Sequence, residues 1–507
     1  MTAGMTRAPL LPRPTPTPVD LADIASLAQI ESVSGSVVVA GVELDSRCVQ
    51  PGDLFAALPG YREHGARHID EAIARGAVAI LTDADGRSAV PEGVPIRVTA
   101  DPRSIVGAVA AEVYRFRPGD PRRERLRILG VTGTNGKTTV SYLVAAGFTA
   151  AGVPTGIVGT VGIRMGERTL PATRTTPESV HLVALLAAMA EQDIEVVAME
   201  VSSHALSERR MDGLCVDLAG FTNLSQDHLD YHGTMEAYFQ AKARLFTPAH
   251  ARVGLVSVDD DWGRRLVHEA GIPVQSVSMR DPAADWFGHR RNRALDVSQR
   301  GQPAVLLDVP LPGAFNAANA LLAWAMLRSS GVPPAVAARG IERARVPGRM
   351  EEVAVSGGVR GIVDYAHTPE AIERALAAVR ESMSDRAQLI AVLGAGGDRD
   401  PSKRTVMGAA AASLADRVIV TDDNPRSERP ADIRAALMEG ARSVPSVTVE
   451  EVPGRRNAIH RAAEVARHDD VIVLLGKGHE TGIESDGHVE PFDDREELSA
   501  ALREVRA

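Results

Sequence analysis

The chain has 507 residues, a formal net charge of −10 and 44% hydrophobic residues. Its length allows about three domains, and the acidic balance gives no reason to expect nucleic acid or an anionic membrane as a partner. The two cysteines, Cys48 and Cys215, are too few for a disulfide framework, so we expect a reducing cytoplasm. No apolar run approaches the roughly 18 residues that cross a bilayer, and the N-terminal stretch lacks the apolar core of a signal peptide.

The order of the predicted elements indicates an α/β protein with three domains behind a tail. Residues 1–20 are rich in Pro and Thr, which predicts a disordered tail. Residues 21–122 alternate short strands, turns and a helix, and the basic stretch 121–127 is predicted to be a solvated connector. Residues 123–345 and 346–507 each alternate buried strands with helices, which predicts mostly parallel sheets.

The stretch GVTGTNGKTT (residues 130–139) follows a predicted strand and opens a predicted helix. Counted from Gly130, its spacing to Lys137 and Thr138 fits the phosphate-binding pattern G-x-x-x-x-G-K-[ST]. Glycines let backbone N–H groups turn toward phosphates at a helix N-terminus, whose dipole favours anions. We therefore expect Lys137 to contact the β- and γ-phosphates of a nucleotide and Thr138 to contact Mg²⁺.

Three further groups in this part of the chain allow two interpretations each. Glu200 ends an apolar strand, and His228 follows another in NLSQDHLDYHG; each is either a member of a metal site or an ordinary surface group. Lys242 falls on the apolar face of a helix that begins near Thr234. Either its amine reaches solvent past the core, or it is a desolvated amine with a lowered pKa.

Three turns near the C-terminus each follow a predicted strand, where open α/β sheets bind their ligands. In TDDNPRSERP, Pro425 stiffens the turn and presents Arg426 to an anion. GAGGDRD has Arg399 where a dinucleotide fingerprint needs its third glycine, so an anion contact by Arg399 fits better than NAD. LLGKGHET repeats the arrangement with Gly476 and Glu480, and an ordinary strand–helix connection remains the alternative for these two turns.

Taken in order, these motifs resemble the Mur ligases, together with MEVSSHAL, AYFQAKARLF, GAFNAANALLA, VPGRME and VDYAHTPEAIE. The resemblance runs from about Gly41 to Glu496 and is strongest to the branch that adds 2,6-diaminopimelate. It implies a three-domain α/β architecture: a UDP-sugar domain, a central P-loop ATPase-like domain on a parallel sheet, and a C-terminal Rossmann-like domain for the amino acid.

The resemblance also implies the reaction. ATP phosphorylates the D-glutamyl γ-carboxylate of UDP-N-acetylmuramoyl-L-Ala-D-Glu, and the amine of meso-diaminopimelate attacks the acyl phosphate to give an amide, ADP and phosphate. This is a cytoplasmic step of peptidoglycan precursor synthesis by a monomeric ligase, with L-lysine as the alternative amino acid. A folylpolyglutamate synthetase-like enzyme shares the central fold, but the DSR and PGDLFAALPG stretches argue against it, and Lys137, Lys242 and DHLD argue against an inactive scaffold.

The implied roles of individual residues fall into four sets. Lys242 would be carbamylated by CO₂ to N6-carboxylysine and would arrange Mg²⁺ with Thr138, Glu200 and His228, while Lys137, Lys242, Glu200 and His228 would be catalytic. ATP would contact Gly133, Thr134, Asn135, Gly136, Lys137, Thr138, Thr139, Asn319, Arg349 and Asp364. The UDP-sugar and its peptide would contact Leu44, Ser46, Tyr61, Arg62, Glu63, Thr175, Thr176, Ser202, Glu208 and Arg210. Diaminopimelate would contact Arg399, Asp423, Asn424, Pro425, Arg426, Gly476 and Glu480. Its distal carboxylate would pair with Arg426, whose planar fork suits a carboxylate that L-lysine lacks.

Overall fold

The computed structural model describes residues 11–25, 31–33, 37–60, 63–291, 294–356, 358–384 and 386–505. The chain forms two compact units. The first unit contains the residues up to 289 together with 296–306 and 321–341, and the second contains 290–295, 307–320 and 342–507. No helix among the described residues is both long and apolar enough to cross a membrane.

The N-terminal part of the first unit is built on a small, mostly parallel sheet. Its strands are β1 (Val19–Asp20), β2 (Glu31–Val33), β3 (Val38–Val39), β4 (Gly41–Glu43), β5 (Asp53–Ala56), β6 (Ala79–Thr82) and β7 (Ile96–Val98), and its helices are α1 (Leu21–Ala25), α2 (Ile69–Ala74), α3 (Pro102–Val113) and α4 (Pro121–Arg125). Five strands pair in the order β2-β7-β6-β5-β4, and β1 pairs with β3. Strands β5 and β6 are buried along their whole length, as expected of strands in a parallel sheet. The predicted helix–glycine–strand order over residues 68–83 is confirmed by α2 and β6.

The prediction of a disordered tail over residues 1–20 is wrong from residue 11 onward. Val19 is buried and pairs in strand β1 with Val39 of β3. Arg13 donates hydrogen bonds to both carboxylate oxygens of Asp53, at 2.9 Å each, and to Glu43 Oε2 at 2.7 Å. The composition of the tail could not reveal these contacts, because the partners of Arg13 lie 30 and 40 residues further along the chain.

The predicted solvated connector over residues 121–127 is confirmed only in part, because residues 121, 124, 125 and 127 are exposed but the stretch is helical and partly buried. Residues Pro121–Arg125 form helix α4, and the Arg123 side chain is buried. Arg123 donates to the carbonyls of Leu126 and Cys215, both at 2.8 Å, and to Asp217 Oδ2 at 3.1 Å. This charged stretch therefore contains a buried arginine whose hydrogen bonds hold the chain just before the next sheet.

The larger part of the first unit surrounds an 11-stranded sheet. Its strands are β8 (Arg127–Thr132), β9 (Thr155–Gly159), β10 (Gly162–Met165), β11 (Arg168–Leu170), β12 (Val196–Glu200), β13 (Leu218–Phe221), β14 (Gly254–Ser257), β15 (Val274–Ser278), β16 (Trp286–Arg291), β17 (Ala294–Gln299) and β18 (Val305–Asp308). The strand order is β11-β10-β9-β12-β8-β13-β14-β15-β16-β17-β18, and β9, β12, β8, β13, β14 and β15 run parallel. The helices are α5 (Lys137–Ala150), α6 (Ser179–Glu191), α7 (Ser203–Ser207), α8 (Leu229–His232), α9 (Met235–Ala243), α10 (Asp261–Glu269), α11 (Ala314–Ser329) and α12 (Pro334–Glu342). The first part of α11, up to residue 320, belongs to the second unit. The sequence of this region predicts strands at 127–131, 194–200 and 218–222, and β8, β12 and β13 confirm them within two residues at each end.

The second unit contains a six-stranded sheet and a hairpin. Its strands are β19 (Glu351–Ser356), β20 (Val359–Asp364), β21 (Leu389–Leu393), β22 (Arg417–Val420), β23 (Thr448–Glu451), β24 (Val471–Leu475), β25 (Gly482–Ser485) and β26 (His488–Pro491), and its helices are α13 (Pro369–Arg380), α14 (Ser402–Leu414), α15 (Pro430–Arg442), α16 (Arg455–Val465) and α17 (Asp494–Glu504). The sheet order is β19-β20-β24-β21-β22-β23, with β19 antiparallel and the other strands parallel. The turns after β21, β22 and β24 therefore meet at one edge of the sheet. The three main sheets lie within the ranges 21–122, 123–345 and 346–507, and these domain boundaries stay a prediction.

Candidate active site

The turn between β8 and α5 has the backbone shape of a phosphate-binding loop. Gly133 has φ +142°, and a Cβ there would lie 1.9 Å from Thr222 Oγ1, so only glycine fits. Gly136, at φ +92°, precedes a 14-residue helix whose first N–H groups and dipole favour an anion. Lys137 Nζ donates to the carbonyls of Gly133 at 3.0 Å and Thr134 at 2.9 Å. In this state the lysine is held against the loop where its charge can meet a phosphate.

Lys242 is a fully buried amine next to that loop. Its side chain is 1% exposed, its Nζ donates to the carbonyl of Gly133 at 2.8 Å, and Nζ lies 4.5 Å from the centre of the Tyr238 ring. Burial lowers the Lys242 pKa well below its ordinary value, and the nearby charge of Lys137 lowers it further. The predicted apolar face of α9 is confirmed, and the interpretation in which the amine reaches solvent is wrong because the whole side chain is enclosed.

Glu200 is buried at the end of β12 and collects hydrogen bonds from the loop residues. Its Oε2 accepts from the hydroxyl groups of Thr138 and Thr160, both at 3.0 Å, and its Oε1 accepts from the backbone N–H of Thr160 at 2.9 Å. The carboxylate is thus fixed beside Thr138. The two predicted Mg²⁺ ligands that contain oxygen are therefore in direct contact.

His228 lies on the segment that leads into α8, with φ +53°. Its ring centre is 4.8 Å from that of His204 and 6.2 Å from that of Tyr238. Burial is the largest cause that lowers the His228 pKa to about 4; the charge of Asp227 opposes it, and those of His204, Lys137 and Lys242 lower the pKa further. A neutral imidazole is the form that binds a metal. Within the described ranges, no three His, Cys, Asp or Glu side chains form a ready-made metal cluster.

The residues predicted to contact the muramoyl peptide lie together beside Glu200: Thr175, Thr176, Ser202, Glu208 and Arg210. The hydroxyl group of Thr176 donates to the Glu200 carbonyl at 2.9 Å and accepts from the Ser202 N–H at 3.1 Å. Arg210 is buried, donates to the Thr176 carbonyl at 3.2 Å and pairs with the carboxylate of Glu208. Glu208 therefore orients Arg210.

The residues predicted to contact the UDP-sugar belong to the N-terminal sheet. Ser46 Oγ donates to Glu71 Oε2 at 2.7 Å, and the N–H of Leu44 donates to Glu43 Oε1 at 2.8 Å. Glu63 lies at the surface and accepts from His68 Nε2 at 3.1 Å. Tyr61 and Arg62 lie outside the described residues.

Glu43 organises the loop that carries Leu44. Burial disfavours its ionised form, but the hydrogen bond and charge of His181 and the N–H groups of Asp45 and Leu44 outweigh burial and lower the Glu43 pKa to about 2. His181 Nε2 lies 2.8 Å from Glu43 Oε1, and Arg13 approaches the other oxygen. The carboxylate is therefore ionised across the physiological pH range.

Three residues predicted to contact ATP lie in the second unit: Asn319, Arg349 and Asp364. Asp364 accepts from the N–H groups of Met350 at 2.7 Å and Ala366 at 2.8 Å, and burial raises its pKa. The guanidinium of Arg349 lies 4.3 Å from the centre of the Tyr365 ring. Asn319 is buried and donates to Asn316 Oδ1 at 3.4 Å.

Arg426 is held between two segments of the second unit. Its Nη1 donates to the carbonyl of Gly397 at 2.7 Å and its Nε donates to Glu484 Oε2 at 3.1 Å. Its backbone has φ +51° and joins the hairpin, because its N–H donates to the Glu484 carbonyl at 3.0 Å and its carbonyl accepts from the Asp486 N–H at 2.8 Å. Nη2 makes no hydrogen bond within the part of the chain that the structure describes, so one edge of the guanidinium fork faces away from these partners. Arg399 is exposed on the neighbouring turn after β21.

The turns after β22 and β24 share a buried polar network. Asn424 Nδ2 donates to Glu480 Oε2 at 2.7 Å, and the Asn424 carbonyl accepts from the Gly397 N–H at 2.8 Å. Gly476 has φ +112°, and a Cβ there would lie 2.6 Å from Asp423 Oδ2. Lys477 Nζ contacts Asp423, Asn424 and Glu480. The predicted diaminopimelate residues on these two turns are thus brought into one cluster, with Pro425 buried between Asn424 and Arg426.

Three parts of the chain match models of one protein family. Residues 38–113 match the Mur ligase family catalytic domain, residues 131–327 the Mur ligase middle domain, and residues 348–478 the Mur ligase glutamate ligase domain. The chain belongs to the Mur ligase family. This confirms the predicted family and the α/β Mur ligase fold.

Individual Mur ligases are similar over nearly the whole chain. UDP-N-acetylmuramoyl-L-alanyl-D-glutamate–2,6-diaminopimelate ligase from Streptomyces coelicolor is 44% identical, covering 96% of this chain and 97% of its own. UDP-N-acetylmuramyl-tripeptide synthetase from Leifsonia xyli is 44% identical, covering 92% of both chains. A solved structure of a UDP-N-acetylmuramoyl-L-alanyl-D-glutamate–2,6-diaminopimelate ligase is 31% identical with a TM-score of 0.68, covering 96% of this chain and 99% of that one.

Two residues of this Mur ligase site were missed by the sequence analysis. Lys477 lies inside the GKGHE motif but has the sequence context of an ordinary turn lysine, and only the fold shows that it is buried. Glu484 pairs with Arg426 from a hairpin strand 58 residues away. An acid in a short, polar strand carries no local signal, so the contact depends on tertiary structure alone.

Proposed function

We propose that this Mur ligase joins meso-diaminopimelate to the D-glutamyl γ-carboxylate of UDP-N-acetylmuramoyl-L-Ala-D-Glu through an acyl phosphate, with ATP converted to ADP and phosphate. It forms a carbon–nitrogen (amide) bond in a cytoplasmic step of peptidoglycan precursor synthesis. The observation that carries the choice of amino acid is Arg426, whose guanidinium is anchored by Gly397 and Glu484 beside the cluster of Asp423, Asn424 and Glu480. The names of the similar enzymes support the same substrate.

The phosphates of ATP bind the turn before α5. The resemblance to the Mur ligases implies that Asn319 and Arg349 contact the adenosine part and that Asp364 also contacts ATP. Support for the phosphate site comes from the glycine conformations of the turn, the helix N-terminus and the position of Lys137. Lys137 leaves the carbonyls of the loop for the phosphate oxygens, where its charge stabilises the negative charge that develops in phosphoryl transfer.

The residues beside the loop fit Mg²⁺, because it prefers oxygen ligands and Thr138 and Glu200 present oxygens in direct contact. Thr138 and Glu200 would hold the ion, with His228 and a carbamylated Lys242 completing the set, and bound Mg²⁺ would neutralise charge on the phosphates. A buried amine with a lowered pKa is the neutral nucleophile that reacts with CO₂, and the Lys242 environment supplies that condition.

The acceptor peptide binds beside Glu200, where Thr175, Thr176, Ser202 and Arg210 lie. Arg210 orients the D-glutamyl carboxylate toward the phosphates, and Glu208 fixes Arg210. The uridine end binds the loop of Leu44 and Ser46 with the segment 61–63. We propose that the enzyme works as a monomer. Its net charge of −10 gives no reason to expect nucleic acid or an anionic membrane as a partner.

The test is phosphate release by the purified protein with ATP, Mg²⁺ and UDP-N-acetylmuramoyl-L-Ala-D-Glu, with meso-diaminopimelate or L-lysine offered in parallel. Turnover with diaminopimelate and not with L-lysine is expected. Turnover with L-lysine at a similar kcat/KM would overturn the role of Arg426 and leave an amino-acid ligase. Phosphate release with neither amino acid would refute the ligase reaction.

A further inference from the structure

Lys477 is a fully buried lysine at the centre of the cluster formed by the turns after β22 and β24. Its side chain has 0% exposure, and its Nζ donates to Asn424 Oδ1 at 3.1 Å, Glu480 Oε2 at 3.3 Å and Asp423 Oδ1 at 3.4 Å. An ammonium group has three N–H donors. Each of the three therefore has an acceptor, and each acceptor is the side chain of a residue predicted to bind the amino acid.

Each of the two carboxylates in this cluster uses one of its two oxygens to accept a hydrogen bond from Lys477. Asp423 and Glu480 each give one oxygen to Lys477, and Glu480 Oε2 also accepts from Asn424. The second oxygen of Asp423 faces Gly476, where the absence of a Cβ keeps it uncovered. Glu480 remains about one-third exposed, at 34%. One oxygen of each carboxylate is thus fixed by the lysine and the other is left for a further donor.

The charges of the cluster favour a cation as that donor. Two carboxylates and one ammonium carry a net charge of −1, which a ligand ammonium neutralises. The hydrogen bonds from Lys477 therefore orient both carboxylates within the cluster.

The strand ends themselves are held by a different cation. Arg455 is fully buried and paired with Asp494, and it donates to the carbonyls of Leu475 at 3.0 Å and Asp422 at 3.4 Å. These carbonyls immediately precede Gly476 and Asp423. Because Arg455 ties the backbone of both turns, the side-chain contacts of Lys477 serve the acceptors rather than the fold.

We infer that Lys477 is a positioning residue that presents Asp423, Asn424 and Glu480 as the acceptors for the distal ammonium of the diamino acid. It does not touch the reacting atoms. The inference rests on the proposed function, in which diaminopimelate binds this cluster. Two groups of residues then recognise the distal end of the diamino acid. Arg426 binds its carboxylate, and the acceptors that Lys477 fixes bind its ammonium.

The test is steady-state kinetics of Lys477→Met with each of the three substrates varied in turn. We expect the KM for diaminopimelate to rise by at least about tenfold, the effect of weakening a charge-assisted contact. The KM values for ATP and for the UDP-nucleotide should stay within about twofold, since sites that share no contacts behave independently. A purely structural role would instead move all three KM values or kcat alone.

Arg434→Met is the matched control, because Arg434 is also buried and also pairs with two carboxylates, those of Asp422 and Glu451. It should lower stability without a selective change in the KM for diaminopimelate. If Lys477→Met does not fold, a double variant, Lys477→Met with Asp423→Asn, takes its place. It removes the cation together with its most buried anion and is compared with Asp423→Asn alone. The double variant should still have the higher KM for diaminopimelate, because Glu480 has lost its partner.

An unchanged KM for diaminopimelate in Lys477→Met, or equal values in the double and single variants, would overturn the inference. The unaltered protein separates this failure from that of the proposed function. If it releases phosphate with diaminopimelate while Lys477→Met keeps its KM, only the role of Lys477 is refuted. If the unaltered protein does not use diaminopimelate, the proposed function itself fails.

Discussion

Replacement of Arg426 by Met tests the choice of amino acid most directly. Methionine keeps an apolar stem and the same Cβ at φ +51°, so the backbone strain is unchanged while the guanidinium is lost. Nε is paired with Glu484 and Nη1 donates to Gly397, so the Nη1–Nη2 edge is the part of the guanidinium left for the proposed contact with the distal carboxylate. The variant therefore removes up to two charge-assisted hydrogen bonds to the distal carboxylate.

The size of the effect follows from these bonds and their exposure. A hydrogen bond to a charged group contributes about 1.5–3 kcal/mol. The Arg426 side chain is 25% exposed and Nη1 already serves Gly397, so the lower value applies to each bond. Two bonds then amount to about 3 kcal/mol, and kcat/KM for diaminopimelate should fall by roughly 100-fold.

The assay is phosphate release with diaminopimelate and with L-lysine. L-lysine has no distal carboxylate, so the substitution should leave its kcat/KM, however small, nearly unchanged, and the preference for diaminopimelate should fall by the same roughly 100-fold. Arg429→Met is the control, because Arg429 lies three residues away, is 83% exposed and approaches only Asp432, at 3.9 Å. A kcat/KM for diaminopimelate that stays within about threefold of the unaltered protein in Arg426→Met would refute this reasoning.

Three further substitutions test other parts of the site. Lys242→Met should lower turnover by more than about 100-fold, because the substitution removes a group proposed to arrange Mg²⁺. ATP should still raise the Tm of the variant, because the phosphate loop stays in place, and normal turnover would contradict this prediction. Ionised Glu43 stabilises the fold fully above its ordinary pKa of 4.5, and this contribution is lost as the pH falls toward its folded value of about 2. Glu43→Gln should therefore lower the free energy of unfolding near pH 7 by about 3 kcal/mol and flatten its decline in acid, as measured by urea unfolding, whereas an unchanged acid slope would argue against it. Gly476→Ala should raise the KM for diaminopimelate by about tenfold and spare that for ATP, because its Cβ would lie 2.6 Å from Asp423 Oδ2; equal changes in both KM values would show a general loss of structure.

Features encoded by neighbouring residues could be predicted from the sequence. The phosphate loop follows from the spacing of Gly136, Lys137 and Thr138 between a strand and a helix, and the structure has that conformation. The burial of Lys242 follows from its place on the apolar face of α9, although the sequence allowed a solvated amine as well. Local periodicity and turn chemistry fix such features, so a single stretch of chain is enough.

Contacts between distant stretches could not be predicted in the same way. The composition of the segments that contain Arg13 and Arg123 predicts exposure to solvent. In the folded protein, however, both side chains donate hydrogen bonds to buried carboxylates or carbonyls. Lys477 and Glu484 look like ordinary polar residues until three turns meet at one edge of a parallel sheet. Sheet order decides these partners, and the sequence of each strand is compatible with several orders.

The N-terminal segment supplies the cation of a cluster that belongs to the first sheet. Arg13 is the shared counter-ion of Glu43 and Asp53, and Glu43 in turn holds the N–H of Leu44. The Pro-rich composition invites a shortened version of the protein that begins at Leu21. Such a version would place two buried carboxylates side by side without their guanidinium, next to the loop proposed for uridine. Removal of the first 20 residues, by design or by a protease, would therefore alter the loop proposed to bind uridine, although the removed residues are not part of that loop.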